Sequence, residues 1–130
     1  MNELTDAVNW QAVIVSFVLS FVLGWLWFSP KLFGKKWADG VPGVSMEDDC
    51  GKPPALAMIT QALGVFGLAW VIGVTASYNA LATAILISVT LVLLIISNGK
   101  FANKSNTAVI IEAAYIIVMV IIMVVCQALL

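Results

Sequence analysis

Four long stretches of almost uninterrupted apolar residues alternate with short polar segments along the chain. A helix that crosses a bilayer needs about 20 mostly apolar residues, because its rise of about 1.5 Å per residue must cover a hydrocarbon core about 30 Å thick. The four stretches come close to that length and predict membrane-spanning helices at about residues 7–28, 55–76, 81–97 and 107–130. The expected fold is therefore an all-α, integral-membrane four-helix bundle that forms one transmembrane domain over residues 1–130.

The segment that follows the first span predicts an additional short helix. Residues 29–37 are amphipathic, with Ser29 placed to cap the helix and Pro30 in its first turn. We expect this helix to lie in the membrane interface, with apolar side chains in lipid and lysines at the headgroups. It would act as a simple anchor or as a site for lipid headgroups or another polyanion. The residues expected to face the interface are Lys31, Leu32, Phe33, Lys35, Lys36 and Trp37.

Small residues recur at helical spacing in the first two spans. Ser16, Ser20 and Gly24 lie four residues apart on one face of the first span, and Gly64 and Gly67 lie along a stripe of the second. Small side chains allow two helix backbones to approach closely. These positions are therefore interpreted as helix-packing positions. Leucine at Ser20 or Gly64 is expected to force the helices apart.

Glu112 is the only charged residue inside a predicted span. It lies about 8 Å from the start of the fourth span, for which Asn106 is a candidate N-cap. Ionisable groups at such depth usually face the interior of a bundle. Counting inward equally on the other spans predicts one intramembrane polar cluster, consisting of Glu112, Tyr115, Thr60, Gln61 and Gly24. The role of Glu112 is either a structural hydrogen bond between helices or a site for an ion, a proton or a substrate.

Composition excludes several classes of protein. The chain is 62% hydrophobic and 10% charged, whereas soluble domains have about 45–50% apolar and about 25% charged residues. A soluble four-helix bundle would also need a polar outer face on each helix, which these segments lack. Without arginine or a basic stripe, nucleic acid is not an expected partner. Without histidine, a nucleophile–base pair or a set of metal ligands, we expect no enzymatic activity, no metal and no cofactor.

All six lysines lie in the two connections at residues 29–54 and 98–106. Because lysine is enriched in cytoplasmic loops, these connections are expected to be cytoplasmic and both termini outside, in a multi-pass protein of the inner (plasma) membrane. This orientation puts Cys50 and Cys126 on opposite sides of a bilayer about 30 Å thick, which excludes a disulfide between them.

Residues 23–37 also carry a specific motif, Gly-x-Leu-Trp-Phe-Ser-Pro-x-x-Phe-Gly-Lys-x-Trp. It resembles the pattern at the end of the first span in a family of small membrane proteins catalogued as domain of unknown function 1761. Asn9-Trp10 near the start, and Glu112 with Tyr115 in the last span, look similar to that family as well. The resemblance covers nearly the whole chain. It implies a four-span membrane fold and no established activity.

Two functions fit these observations. The first is a transporter or channel for an ion or a small molecule, which would work as a homo-oligomer because four spans alone enclose little space. The second is a non-catalytic accessory or scaffold subunit of a larger membrane complex. The expected partners are membrane lipid together with further copies of the chain or the other subunits of a complex.

The predicted orientation can be tested at Cys50. A thiol reagent that cannot cross the membrane should leave Cys50 unlabelled in intact cells and label it when the cytoplasmic face is accessible. Labelling of Cys50 in intact cells would contradict the predicted orientation.

Overall fold

The computed structural model describes residues 5–28, 32–40 and 55–130. Within these ranges the chain forms five helices, which are α1 (Trp10–Trp27), α2 (Gly34–Asp39), α3 (Ala55–Ser77), α4 (Leu81–Phe101) and α5 (Asn106–Leu129). The helices α1, α3, α4 and α5 are long and apolar enough to cross a membrane. The predicted all-α bundle of four spans, with a short helix after the first, is confirmed.

Capping side chains determine where two of the spans begin. Helix α1 begins at Trp10, about three residues later than predicted, because the Asn9 side chain accepts a hydrogen bond of 3.2 Å from the amide of Ala12. At the start of α5 the cap is Ser105, whose hydroxyl oxygen accepts from the amide of Ala108 at 3.1 Å. The prediction of Asn106 as the cap was therefore wrong by one residue, and Asn106 is the first residue of the helix.

Helix α5 is the centre of the bundle, since each of the other four helices contacts it. Its buried residues Tyr115, Met119 and Met123 recur every four positions and so form one continuous inward face. Val13 of α1 and Ile72 of α3 belong to the same core. Helix α4 lies at the edge: 6% of its most apolar stretch is buried, compared with 22–33% in the other spans.

The described part of the first lysine-bearing connection, residues 32–40, meets the second connection at one end of the bundle. Helix α2 lies against the start of α5, where the amide of Ser105 donates a hydrogen bond of 2.7 Å to the carbonyl oxygen of Gly40. Helix α2 is shorter than the predicted helix at 29–37, and Ser29, Pro30 and Lys31 lie outside the described residues. We call this end the lysine end. Cys126 is a buried free thiol near the opposite end, and Cys50 lies outside the described residues.

The small residues of the two spans have different surroundings. Ser16 and Ser20 are fully buried, and a Cβ atom at Gly24 would lie 2.7 Å from the hydroxyl oxygen of Tyr115. In contrast, no described atom lies within 4 Å of a Cβ built at Gly64 or Gly67. Among the described residues these two glycines pack against no other helix, because α3 turns a different face into the core, namely Val65, Leu68, Ala69 and Ile72.

This difference gives a matched pair of variants. Ser20→Leu should destabilise the fold by about 1–3 kcal/mol because it overpacks a filled interface, whereas Gly64→Leu should change stability by less than about 0.5 kcal/mol. Thermal unfolding in detergent, followed by circular dichroism, measures both. Equal losses for the two variants would contradict the packing described for α1 and α3.

Candidate functional site

The Glu112 carboxylate joins three separate parts of the chain at the lysine end. Its Oε2 atom accepts a hydrogen bond of 2.8 Å from the indole nitrogen of Trp37 in α2, and it lies 2.7 Å from the Lys104 ammonium in the α4–α5 turn. The Glu112 side chain is 16% exposed and that of Lys104 is 23% exposed. Because both groups are largely withdrawn from solvent, their attraction is screened less than that of a surface ion pair.

A tight turn holds Lys104 beside the start of α5. Asn103 adopts a left-handed backbone conformation (φ 61°), and the amide of Lys104 donates to the carbonyl oxygen of Gly99 at 3.0 Å. This is a common way to end a helix, since it satisfies carbonyl groups of the last turn. Gly99 also allows the close approach of α5, because a Cβ there would lie 2.6 Å from the Cγ2 atom of Val109.

Helix α2 is seated closely enough to direct Trp37 towards Glu112. Gly34 and Ala38 of this helix are buried, and at Gly40 a Cβ atom would clash with the Ser105 hydroxyl. Trp37 was expected to face lipid. Trp37 is half-buried in the structure, and its indole N–H donates to the carboxylate.

The remaining interfacial residues differ in exposure. Lys35 and Lys36 are exposed, as is Leu32, while Phe33 is half-buried against Trp27. Lys31 lies outside the described residues.

Aromatic rings surround this end of α5. Phe28 makes edge-on contacts with Trp37 at 5.3 Å and with Tyr115 at 5.5 Å between ring centroids, and Trp27 lies 4.8 Å from Phe33. The indole nitrogen of Trp27 donates to the carbonyl oxygen of Ile111 at 3.0 Å. We call these rings the aromatic cluster, which consists of Trp27, Phe28, Phe33, Trp37 and Tyr115.

Part of the predicted polar cluster lies around Tyr115. Its hydroxyl donates to the carbonyl oxygen of Ser20 at 2.9 Å, has a hydrogen bond with the Gln61 side chain, and lies directly over Gly24. The hydroxyl oxygen of Ser20 is buried and has no partner among the described residues. Thr60 is exposed, and its hydroxyl donates to the carbonyl oxygen of Leu56 at 2.9 Å.

The predicted polar cluster thus contains two adjacent groups, one around Tyr115 and one around Glu112. Residues three positions apart on a helix point about 60° away from each other. Tyr115 therefore faces α1 and α3, while Glu112 faces α2 and the α4–α5 turn. Lys104 was not predicted as the partner of Glu112, although two lysines, Lys100 and Lys104, lie directly before the start of this span and could have indicated it.

A family model described as a protein of unknown function (DUF1761) matches residues 11–128. The chain belongs to this family. No curated protein and no solved structure matches it. The structure brings together two of the three parts of the chain that carry the DUF1761 resemblance. The aromatic residues of the motif lie in one cluster with Tyr115, beside Glu112, namely Trp27, Phe28, Phe33 and Trp37.

This arrangement has the chemistry of a cation site. A carboxylate oxygen supplies negative charge, and neighbouring aromatic faces attract cations through their quadrupoles. Among the described residues, no group of three or more histidine, cysteine, aspartate or glutamate side chains is placed to hold a metal ion. The ammonium of Lys104 is the cation that Glu112 contacts in this structure.

The contribution of the Trp37 hydrogen bond can be measured directly. Trp37→Phe keeps an aromatic ring but removes the N–H donor, and should lower the free energy of unfolding by about 1.5–3 kcal/mol because the acceptor is charged. Trp25→Phe is the matched control, since Trp25 is 68% exposed. Thermal unfolding in detergent reports both, and equal effects would contradict a specific role for the Trp37 donor.

Proposed function

We propose that this protein is a membrane transporter that binds a cationic small molecule with an apolar body at Glu112 and works as a homo-oligomer. The observation that carries the proposal is the Glu112 carboxylate, which is held at the edge of the aromatic cluster by Trp37 and paired with the Lys104 ammonium.

The residues at Glu112 favour an organic cation as the ligand. The carboxylate supplies the charge. The half-buried rings of Trp37, which donates to the carboxylate, and Phe28, which packs against Trp37, supply aromatic surface beside it. Cations are attracted to such faces most strongly where water is displaced. A small, strongly hydrated inorganic ion would gain less from these rings than an organic cation with apolar surface.

Lys104 would act as an internal cation that an external one replaces. It lies in a turn, is 23% exposed, and reaches the same Oε2 atom as Trp37. A long lysine side chain can leave a carboxylate and regain hydration at the membrane boundary. Replacement of Lys104 by the ligand keeps Glu112 paired in both states, which avoids leaving an uncompensated charge in an apolar region.

An oligomer would supply the rest of the transport path. The four spans pack around one hydrophobic core, and most residues of α4 are exposed. A path between copies could include Glu112 without opening this core. By the lysine distribution, Glu112 would lie near the cytoplasmic side of the inner (plasma) membrane. The proposal is a binding and transport role without a catalysed reaction.

Binding and uptake of tetraphenylphosphonium test the proposal. The purified protein should bind this cation in detergent. Under an inside-negative potential, proteoliposomes should take it up faster than protein-free liposomes of the same lipid, because the cation also crosses the bare bilayer. Glu112→Gln should weaken binding at least about tenfold, a loss of about 1.4 kcal/mol, because the amide carries no charge. Lys104→Gln should bind the cation more tightly than the unmodified protein, because the internal competitor is removed.

Asp39→Asn is the matched control, since Asp39 is an exposed carboxylate at the same end of the bundle. It should bind tetraphenylphosphonium like the unmodified protein. Circular dichroism of every variant shows whether the fold is kept. Absence of binding to the unmodified protein, or equal affinity in the folded Glu112→Gln variant, would overturn the proposal.

A second candidate is a non-catalytic accessory or scaffold subunit of a larger membrane complex. It is favoured by the exposure of α4 and by the structural partners that Glu112 already has in Trp37 and Lys104. In this case Glu112→Gln would alter stability and assembly but no cation affinity. Light scattering of the solubilised protein then separates a homo-oligomer from a chain that needs other subunits.

A further inference from the structure

A lateral groove of about 420 Å³ runs between α4 and α5. Val92 and Ile96 form its wall on α4, while Ala113, Ala114 and Ile117 form the side on α5. The small alanine side chains create the depth, because larger residues precede and follow them on the same helix. The groove therefore presents an apolar, open-sided channel to the lipid phase.

One end of this groove is polar. Lys100 and Asn106 line it at the lysine end, and Val92 lies eight residues deeper on α4, which corresponds to about 12 Å along the helix axis. The groove thus runs from the headgroup level into the hydrocarbon region. An acyl chain that enters a bilayer from its headgroup follows the same direction.

The charge at the mouth is fixed in place. The Lys100 ammonium donates to the Asn106 side-chain oxygen at 2.6 Å and to the carbonyl oxygen of Lys104 at 3.3 Å, and Lys100 is exposed. The start of α5 adds the partial positive charge of a helix N-terminus beside it. The nearest intramembrane acid, Glu112, is paired with Lys104 and does not line the groove.

We propose that this groove is a binding site for an anionic phospholipid, with one acyl chain along α5 and the phosphate on the Lys100 ammonium. Basic residues at the end of a cleft between membrane helices are a feature of sites for anionic lipid headgroups. The apolar walls make a whole lipid, rather than free phosphate, the occupant. This site is separate from the Glu112 site, and its test does not depend on transport.

Native mass spectrometry of the purified protein tests the proposal. The protein is mixed with equal amounts of phosphatidylglycerol and phosphatidylcholine that carry identical chains. The unmodified protein should retain phosphatidylglycerol in preference to phosphatidylcholine. Lys100→Gln should reduce this preference about fivefold, and inorganic phosphate should not displace the lipid.

Two further variants distinguish binding of the lipid headgroup from binding of its acyl chain. Lys35→Gln removes the same charge from an exposed lysine on α2 and should keep the preference. Ala114→Phe fills the groove and should reduce retention of both lipids. Equal retention of the two lipids by the unmodified protein, equal effects of Lys100→Gln and Lys35→Gln, or full retention by a folded Ala114→Phe variant would each overturn the proposal. If Ala114→Phe does not fold, the comparison of the two lysine variants decides.

Discussion

The pairing of one carboxylate inside an apolar helix organises the lysine end of this protein. An unpaired Glu112 would be costly in a membrane-spanning segment, so the chain must bring charge and hydrogen-bond donors to it. It does so from two directions, with Lys104 from the turn before α5 and Trp37 from α2. The short helix α2 is thereby tied to the span that carries the carboxylate, and the lysine end becomes a single structural unit.

Close backbone approach makes this pairing geometrically possible. Three glycines lack the side chain that would otherwise block a neighbouring group. The groups they make room for are Val109 at Gly99, Ser105 at Gly40 and the Tyr115 hydroxyl at Gly24. Each contact brings another element against the first half of α5, where a larger side chain would hold it away. The motif at residues 24–37 follows the same principle, because Gly24 and the rings of Trp27 and Phe28 meet around Tyr115.

The α4–α5 turn links the two proposed sites. Lys104 faces Glu112 on one side of α5, while Lys100 lies over the groove on another, and the two residues are joined by the hydrogen bond from Lys100 to the Lys104 carbonyl oxygen. A lipid phosphate on Lys100 would therefore bind next to the backbone that positions Lys104. The lipid headgroup would attract Lys100, whereas the Glu112 carboxylate attracts Lys104 on another side of α5.

The sequence alone determined the number of spans, the short helix after the first and the family resemblance. The spans are readable from the sequence because the thickness of the bilayer requires each of them to be a long, apolar run of residues. It also identified Glu112 and Tyr115 as candidate site residues, since a polar side chain inside the membrane is unfavourable in free energy unless it is paired. Only the tertiary structure decided which side chains meet them. The rotation of each helix about its axis buries Ser20 and places Gly24 against Tyr115, whereas it leaves Gly64 outside the core. The spacing of small residues in the sequence is compatible with either outcome. Likewise, the partnership of Trp37 and Lys104 with Glu112 depends on contacts across 75 and 8 residues of chain, which helical periodicity cannot specify.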